Sequence, residues 1–329
     1  MFKLSKSQAY SIGIDTGDDN IKLVQLGENG NGLSLIAGKS ENLPKEVKAG
    51  SSQWQKWAID TIRKMTSNGD FRGKDVVATM PCHEVFIDNI KTPKVNEDES
   101  IEDAIFSKIK QKLPFEPIRE NTMIKYIPME QDNILVIAVE RKIIDRHLAI
   151  YEKAGLSIKS IGIWPTAMAN CYSKFFGRRQ SDSKAIVMLV GIEENYTNVV
   201  ICRHKNLLFA RTLSIGLNQL DTKNSANKLL LDLTECRRQF TSMNPRGHIE
   251  RLIFLSSQTT IDKEMCITIA KQLDIPAQVG DCLAAVEIPE PPVLRGKSKS
   301  NDNIKSTAAS IDRRNCVVNW ATAFGLSLS

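Results

Sequence analysis

Apolar and polar positions follow a strand rhythm along the first 40 residues. Tyr10–Ile14 is a short apolar run, and Asp15-Thr16-Gly17-Asp18-Asp19 carries turn residues. Ile21–Leu26 sets Ile21, Leu23 and Gln25 against Lys22, Val24 and Leu26, as a strand with two partly buried faces does. Glu28-Asn29-Gly30-Asn31-Gly32 has hairpin-turn chemistry, and Leu33–Ala37 returns. Ser51 or Ser52 can then cap a helix to about Asn68, with Trp54, Trp57, Ala58, Ile62 and Met65 at helical spacing. Asp75–Met80 reads as a buried strand ended by Pro81.

Residues 82–140 read as a small α+β unit. Strands at Val85–Ile90, Met123–Pro128 and Ile134–Val139 surround a helix at Ser100–Lys112, which stops at Leu113-Pro114-Phe115-Glu116-Pro117. An amphipathic helix, Lys142–Ala154, follows and ends at Gly155. The opening pattern then recurs. Ile186–Leu189 is a strand, Gly191–Asn195 a turn, Thr197–Cys202 a strand, His204-Lys205-Asn206 a turn and Leu207–Leu213 a strand. This duplication is the most informative feature of the chain. A helix over about Asn218–Met243, a strand at Leu252–Leu255, a helix at Ile261–Leu273 and a short strand near Ala277–Val279 come next. A terminal helix is predicted at Val317–Leu328.

The organisation expected is therefore a first lobe from 1–81 and 141–180, carrying the inserted unit 82–140. A second lobe spans 181–286, a flexible linker 287–315, and a C-terminal helix within 316–329 packs on the first lobe.

Composition narrows the function. The chain has 329 residues, 42% of them hydrophobic, which is enough for a sizeable core. No uncharged apolar run approaches the roughly 20 residues a bilayer demands, and Met1–Lys6 has no signal-like apolar region. The formal charge is +6, and residues 295–314 hold six basic side chains against two acidic ones. The body is near neutral, so a nucleic-acid surface is not expected, and the Ser- and Asn-diluted tail reads as a solvated linker. Seven scattered Cys form neither a zinc framework nor a disulfide set, which suits a reducing cytoplasm. Cys171, Cys202 and Cys236 read as core residues, and His83, His147, His204 and His248 as surface or turn residues.

A glycine-containing turn between paired strands can offer successive N–H groups to an anion, and two facing turns can clamp a polyphosphate. The motifs Gly13–Val24, Lys112-Leu113-Pro114-Phe115, Ala154-Gly155-Leu156, Trp164-Pro165, Ala185–Thr197, Phe209–Gly216, Glu235–Arg238, Leu252–Thr259 and Ala323–Leu326 occur in one order over most of the chain. In that order they resemble the PilM family of type IV pilus assembly. They are also similar, more distantly, to the type II secretion L protein cytoplasmic domain and to FtsA. The resemblance implies an α/β, actin-like (ribonuclease H-like) two-lobe fold. It also implies a nucleotide site at Asp15, Gly17, Lys22, Gly191, Asn195, Thr197 and Ser257.

The departures from the family pattern bear on that site. Asp18 and Asp19 stand where small residues follow the first D-x-G. A carboxylate about 4 Å from a phosphate charge costs on the order of 4 kcal/mol at an effective dielectric near 20. Leu189 replaces the Asp that holds Mg²⁺ through water, Ser256-Ser257-Gln258 lacks the adenosine-turn glycines, and the stretch from Gly216 to Glu235 is short. We expect no enzymatic activity and no cofactor. ATP with Mg²⁺ is the alternative, and Asp18→Ser with Asp19→Gly would then restore binding. Asp18 and Asp19 otherwise read as a solvated turn, with Mg²⁺ or Ca²⁺ as the rival reading. The resemblance also implies that the N-terminal peptide of a PilN-like bitopic inner-membrane protein lies between the first lobe and the inserted unit. Phe86, Ile90, Leu113 and Phe115 are the candidate contacts. The expected role is an adaptor at the inner face of the inner membrane, with a second copy of itself as the further candidate partner. An active ATPase gating the complex and an FtsA-like filament former are the rivals.

Overall fold

The computed structural model describes residues 8–29, 32–95, 97–220, 223–256, 262–288 and 318–329. The expected linker over 287–315, the basic tail, the tip of the first hairpin and Ser257 lie almost wholly outside the described residues.

Three antiparallel strands open the chain: β1 (Gln8–Thr16), β2 (Asn20–Asn29) and β3 (Gly32–Asn42). The helix α1 (Ser52–Thr66) starts where Ser51 accepts a hydrogen bond from the Trp54 N–H at 3.1 Å. Its apolar stripe of Trp54, Ala58, Ile62 and Met65 is buried against the sheet. The strand β4 (Asp75–Ala78) then lies parallel to β1.

The inserted unit follows, with β5 (Phe86–Lys91), α2 (Ile101–Ile109), β6 (Thr122–Pro128) and β7 (Asn133–Glu140). Its sheet is antiparallel in the order β5-β7-β6, and Ile90, Ile105, Ile109, Ile124 and Val136 fill the core under α2. The chain returns through α3 (Arg141–Lys153), which ends at Gly155 with φ +82°, to β8 (Ser157–Ile161), parallel to β4. The helix α4 (Trp164–Phe175) closes the first half.

The second half repeats this plan with β9 (Ile186–Ile192), β10 (Thr197–Arg203), β11 (Asn206–Leu213), α5 (Lys223–Met243), β12 (Ile249–Leu255), α6 (Lys263–Leu273) and β13 (Ala277–Gly280). The strand orders β3-β2-β1-β4-β8 and β11-β10-β9-β12-β13 correspond position for position. The final helix, α7 (Ala321–Ser327), lies on β1, β2 and β4 of the first sheet, while α4 lies on β9, β10 and β11 of the second. Each closing helix therefore covers the opposite half, and α4 packs on α7 between them. One core runs through this crossing and joins Val24, Leu35, Met168, Phe175, Leu189 and Phe324. That arrangement fixes how the two strand–turn–strand units face each other.

Two glycines permit the crossing. A Cβ on Gly13 of β1 would stand 2.2 Å from the Ala323 carbonyl oxygen, and one on Gly325 of α7 would stand 1.8 Å from that of Ala167. Both obstacles are backbone, so only glycine allows the approach.

Candidate functional site: the cleft between the lobes

The turn after β1 and the turn after β9 meet across the cleft, and their side chains bond to each other. Asp15 and Lys22 are cross-strand partners on β1 and β2. Lys22 is fully buried, and its ammonium contacts Asp15 Oδ2 at 3.1 Å and Glu193 Oε2 at 3.0 Å. It also donates to the Asn319 carbonyl oxygen at 2.9 Å. Asn319 in turn donates from Nδ2 to Glu193 Oε1 at 2.8 Å, and Thr79 donates to Asp15 Oδ1 at 3.1 Å. All the donors of the ammonium are thus taken up by this chain.

Burial alone would lower the Lys22 pKa, but the Glu193 and Asp15 carboxylates outweigh it and hold the ammonium above the ordinary lysine value. Burial pushes the Glu193 carboxyl up to about 7, against the pull of Lys22 and with the help of Asp15.

The rest of the cleft is engaged in the same way. Asn195 donates from Nδ2 to Asp19 Oδ1 at 2.5 Å and accepts from Asn218 at 3.1 Å. The other Asp19 oxygen is buried without a hydrogen-bond partner, and burial raises the pKa of this carboxyl. Asp18 bonds His83 Nδ1 at 2.7 Å. The reading of Asp18 and Asp19 as a solvated turn is therefore corrected, because one closes onto the opposite lobe and the other onto His83. Among the described residues no cluster of three or more His, Cys, Asp or Glu side chains could hold a metal ion.

The remaining candidates fall as follows. Thr197 is fully buried and donates its hydroxyl hydrogen to the Ile215 carbonyl at 2.6 Å. Gly191 belongs to β9 rather than to the turn, where a Cβ would press on Met168 at 3.1 Å and on Asn319 at 3.2 Å. The turn is Glu193–Tyr196, and the buried Tyr196 hydroxyl lies 3.4 Å from where a Cβ on Gly17 would stand. Leu189 is buried in the shared core. Tested against a Mg–triphosphate, the arrangement does not fit. The cation is paired internally, the Thr197 hydroxyl is used, Leu189 offers no oxygen, and an Asp19 oxygen faces inward.

The sequence reading missed Glu193, Asn319 and a second buried cluster. Glu84, just before β5, bonds His147 Nε2 at 2.8 Å and forms a close ion pair with Arg146. His147 is fully buried in α3, which corrects its placement at the surface. Burial acts to raise the Glu84 pKa, but His147 and Arg146 prevail and hold it below the usual carboxylate range.

Glu84 and Arg146 of this cluster line a groove of about 410 Å³ between the first half and the inserted unit, together with Lys48, His83, Phe115 and Ile143. Of the four candidate peptide contacts, Phe115 lines it. Ile90 lies in the core of the inserted unit and presents no surface there. Phe86 and Leu113 are half-buried against the same core.

Two opposed strand–turn–strand halves, each ending in a helix that crosses to the other, are the actin-like ATPase fold in its α/β form, here with a small antiparallel unit inserted. The sequence profile of the type IV pilus assembly protein PilM matches residues 13–236, more than half of the chain, and the chain belongs to that family. The solved PilM–PilN type IV pilus biogenesis complex is similar at a TM-score of 0.70 and 17% identity, over 97% of this chain and 98% of that one. The cytoplasmic domain of EpsL, an inner-membrane component of the type II secretion system of Vibrio cholerae, is similar at 0.47 and 11%, over 74% and 81%. An actin-like protein of unknown function from Bacteroides thetaiotaomicron is similar at 0.47 and 12%, over 87% and 96%. A search of curated proteins finds no match. No helix among the described residues is long and apolar enough to cross a membrane.

Proposed function

We propose that this protein is a docking adaptor of a type IV pilus assembly complex, working at the inner face of the inner membrane. It holds the N-terminal peptide of a PilN-like membrane protein in the groove beside Phe115, and its nucleotide site has been given up. The observation that carries the reading is the internal neutralisation of Lys22 by Asp15, Glu193 and the Asn319 carbonyl. A triphosphate would have to break a buried ion pair to reach that ammonium, and then share the cleft with Asp15, Asp19 and Glu193.

The groove suits an extended peptide on chemical grounds. Phe115 and Ile143 offer apolar contact, and Lys48 offers a cationic anchor beside Arg146, whose guanidinium is held in place by Glu84 and the Gly50 carbonyl. The division into two lobes, an inserted unit and a returning C-terminal helix serves that role by building the groove at a joint between units.

Calorimetry tests the reading. A synthetic peptide with the N-terminal sequence of the PilN-like protein should bind, and Phe115→Asp should weaken it about tenfold or more. Mg-ATP should show no binding at millimolar concentration, and none after Asp18→Ser with Asp19→Gly, because Lys22 stays paired. Micromolar binding of Mg-ATP to the native chain, or no binding of the peptide, would sink the proposal.

A further inference from the structure

The second sheet ends on β13. It pairs with β12 on its inner side and, among the described residues, with no strand on its outer side. Between β13 and α6 runs an apolar hollow of about 440 Å³, floored by Cys266, Ala270 and Val279 and flanked by Ile267. Ile267 is 54% exposed. Lys263 and Lys271 stand at the two ends of the hollow. They are eight residues apart on α6, about 12 Å along its axis. Among the described residues neither has a carboxylate partner, whereas the lysine on β8, Lys159, is paired with Asp75.

The duplicated fold supplies an internal comparison. The strand in the matching place of the first sheet is β8, also an edge, and its exposed positions are Ser157, Lys159 and Ser160. That edge is protected by polar side chains, as edge strands ordinarily are. The β13 edge exposes Ala277 and Gln278 and lies beside an apolar floor with a cation at each end.

We propose that the β13 edge takes an extended segment of a partner protein, about five residues long, with an aliphatic side chain over the hollow between carboxylates at its first and fifth positions. The first and fifth residues of an extended segment lie on one face about 13 Å apart, which matches the separation of the two lysines. Main-chain hydrogen bonds to the open edge would supply part of the affinity, the hollow would select aliphatic side chains, and the lysines would fix the register. A second copy of this chain is the poorer occupant, because joining two β13 edges would bring four unpaired lysines together. The surface is separate from the groove beside Phe115 and could be filled while that groove is occupied.

Fluorescence anisotropy with the full chain tests this. The probe is a fluorescein-labelled pentapeptide with glutamate at its first and fifth positions and valine at its third. The control replaces both glutamates with lysine. We expect saturable binding of the glutamate-ended probe, weakened about tenfold or more by Lys263→Glu with Lys271→Glu. That double variant should now prefer the lysine-ended probe, a reversal that misfolding cannot produce. Ile267→Asp should also weaken binding, at an unchanged melting temperature. Amide exchange of β13 should slow when the probe is bound. Absence of saturable binding, or equal binding of the two probes by the native chain, overturns the proposal. So does a dimer in sedimentation that Ile267→Asp dissolves, because the edge would then belong to a second copy.

Discussion

Lys22 on β2 and Glu193 after β9 form an ion pair of 3.0 Å that joins the two halves of the molecule inside a buried cleft. The pair is embedded, since Asp15 and Asn319 complete its hydrogen bonds. Removing one member therefore leaves the others uncompensated. Lys22→Met leaves Asp15 and Glu193 facing each other without their cation and should cost about 3–5 kcal/mol in urea denaturation. Lys22→Met combined with Glu193→Gln should recover part of that loss, because one stranded charge disappears. If the double variant is less stable than Lys22→Met alone, the coupling inferred here is wrong.

The same pair sets a pH dependence. Burial, against the pull of Lys22, pushes the Glu193 carboxyl up from its ordinary value of 4.5 to about 7 in the folded protein. Between those values the folded state holds a proton that the unfolded state has released. Stability should therefore fall as pH rises through that window. Glu193→Gln has no such proton, and its urea midpoint should vary less across the window than that of the native chain. Equal slopes for the two proteins would show that Glu193 ionises normally.

These features differ in how far the sequence announces them. The meanders β1–β3 and β9–β11 are legible because apolar residues recur with turns at matching intervals in both halves. Asp15 and Lys22 are legible because a strand–turn–strand register sets them opposite each other. Glu193 is not, since Glu193-Glu194 in a turn reads as solvated until the opposite lobe buries it. Asn319 lies far along the chain and reaches the cleft only through the return of α7. The strand β8 is mostly exposed and shows little apolar pattern, while α4 is buried on nearly every side and so has no polar face to reveal its period. The motif at Trp164-Pro165 marks where α4 begins, yet only the fold shows that α4 crosses to the second half.

That crossing makes its own prediction. Gly325→Ala would drive a methyl group into the Ala167 carbonyl, which no rotamer change can relieve. The helix α7 would have to lift from α4 and from the core it shares with Phe175 and Phe324. We expect a loss of about 3 kcal/mol in urea denaturation, at the upper end of overpacking costs. Gly69→Ala is the control. Gly69 has φ +75° but nothing within 4 Å of the added carbon, so only backbone strain of about 1–2 kcal/mol applies. Equal losses for the two variants would mean that the α4–α7 contact is looser than described.

The Glu84 cluster links stability to the groove. Glu84 holds Arg146 at the groove wall and is bonded by Nε2 of the buried His147, so Glu84→Gln should loosen both. Because the Glu84 pKa is lowered on folding, its contribution is fully present above its unfolded value, near 4.5, and is lost as pH falls through the folded one. The variant should be less stable near neutral pH by about 3 kcal/mol and should lose part of the native acid sensitivity. Peptide binding separates the two roles of this residue. Where the variant remains folded, calorimetry should show weaker docking, because an untethered Arg146 no longer offers its guanidinium from a fixed position beside Phe115. Unchanged affinity in a destabilised variant would assign Glu84 to the fold alone and place the anchor for the peptide elsewhere along the groove.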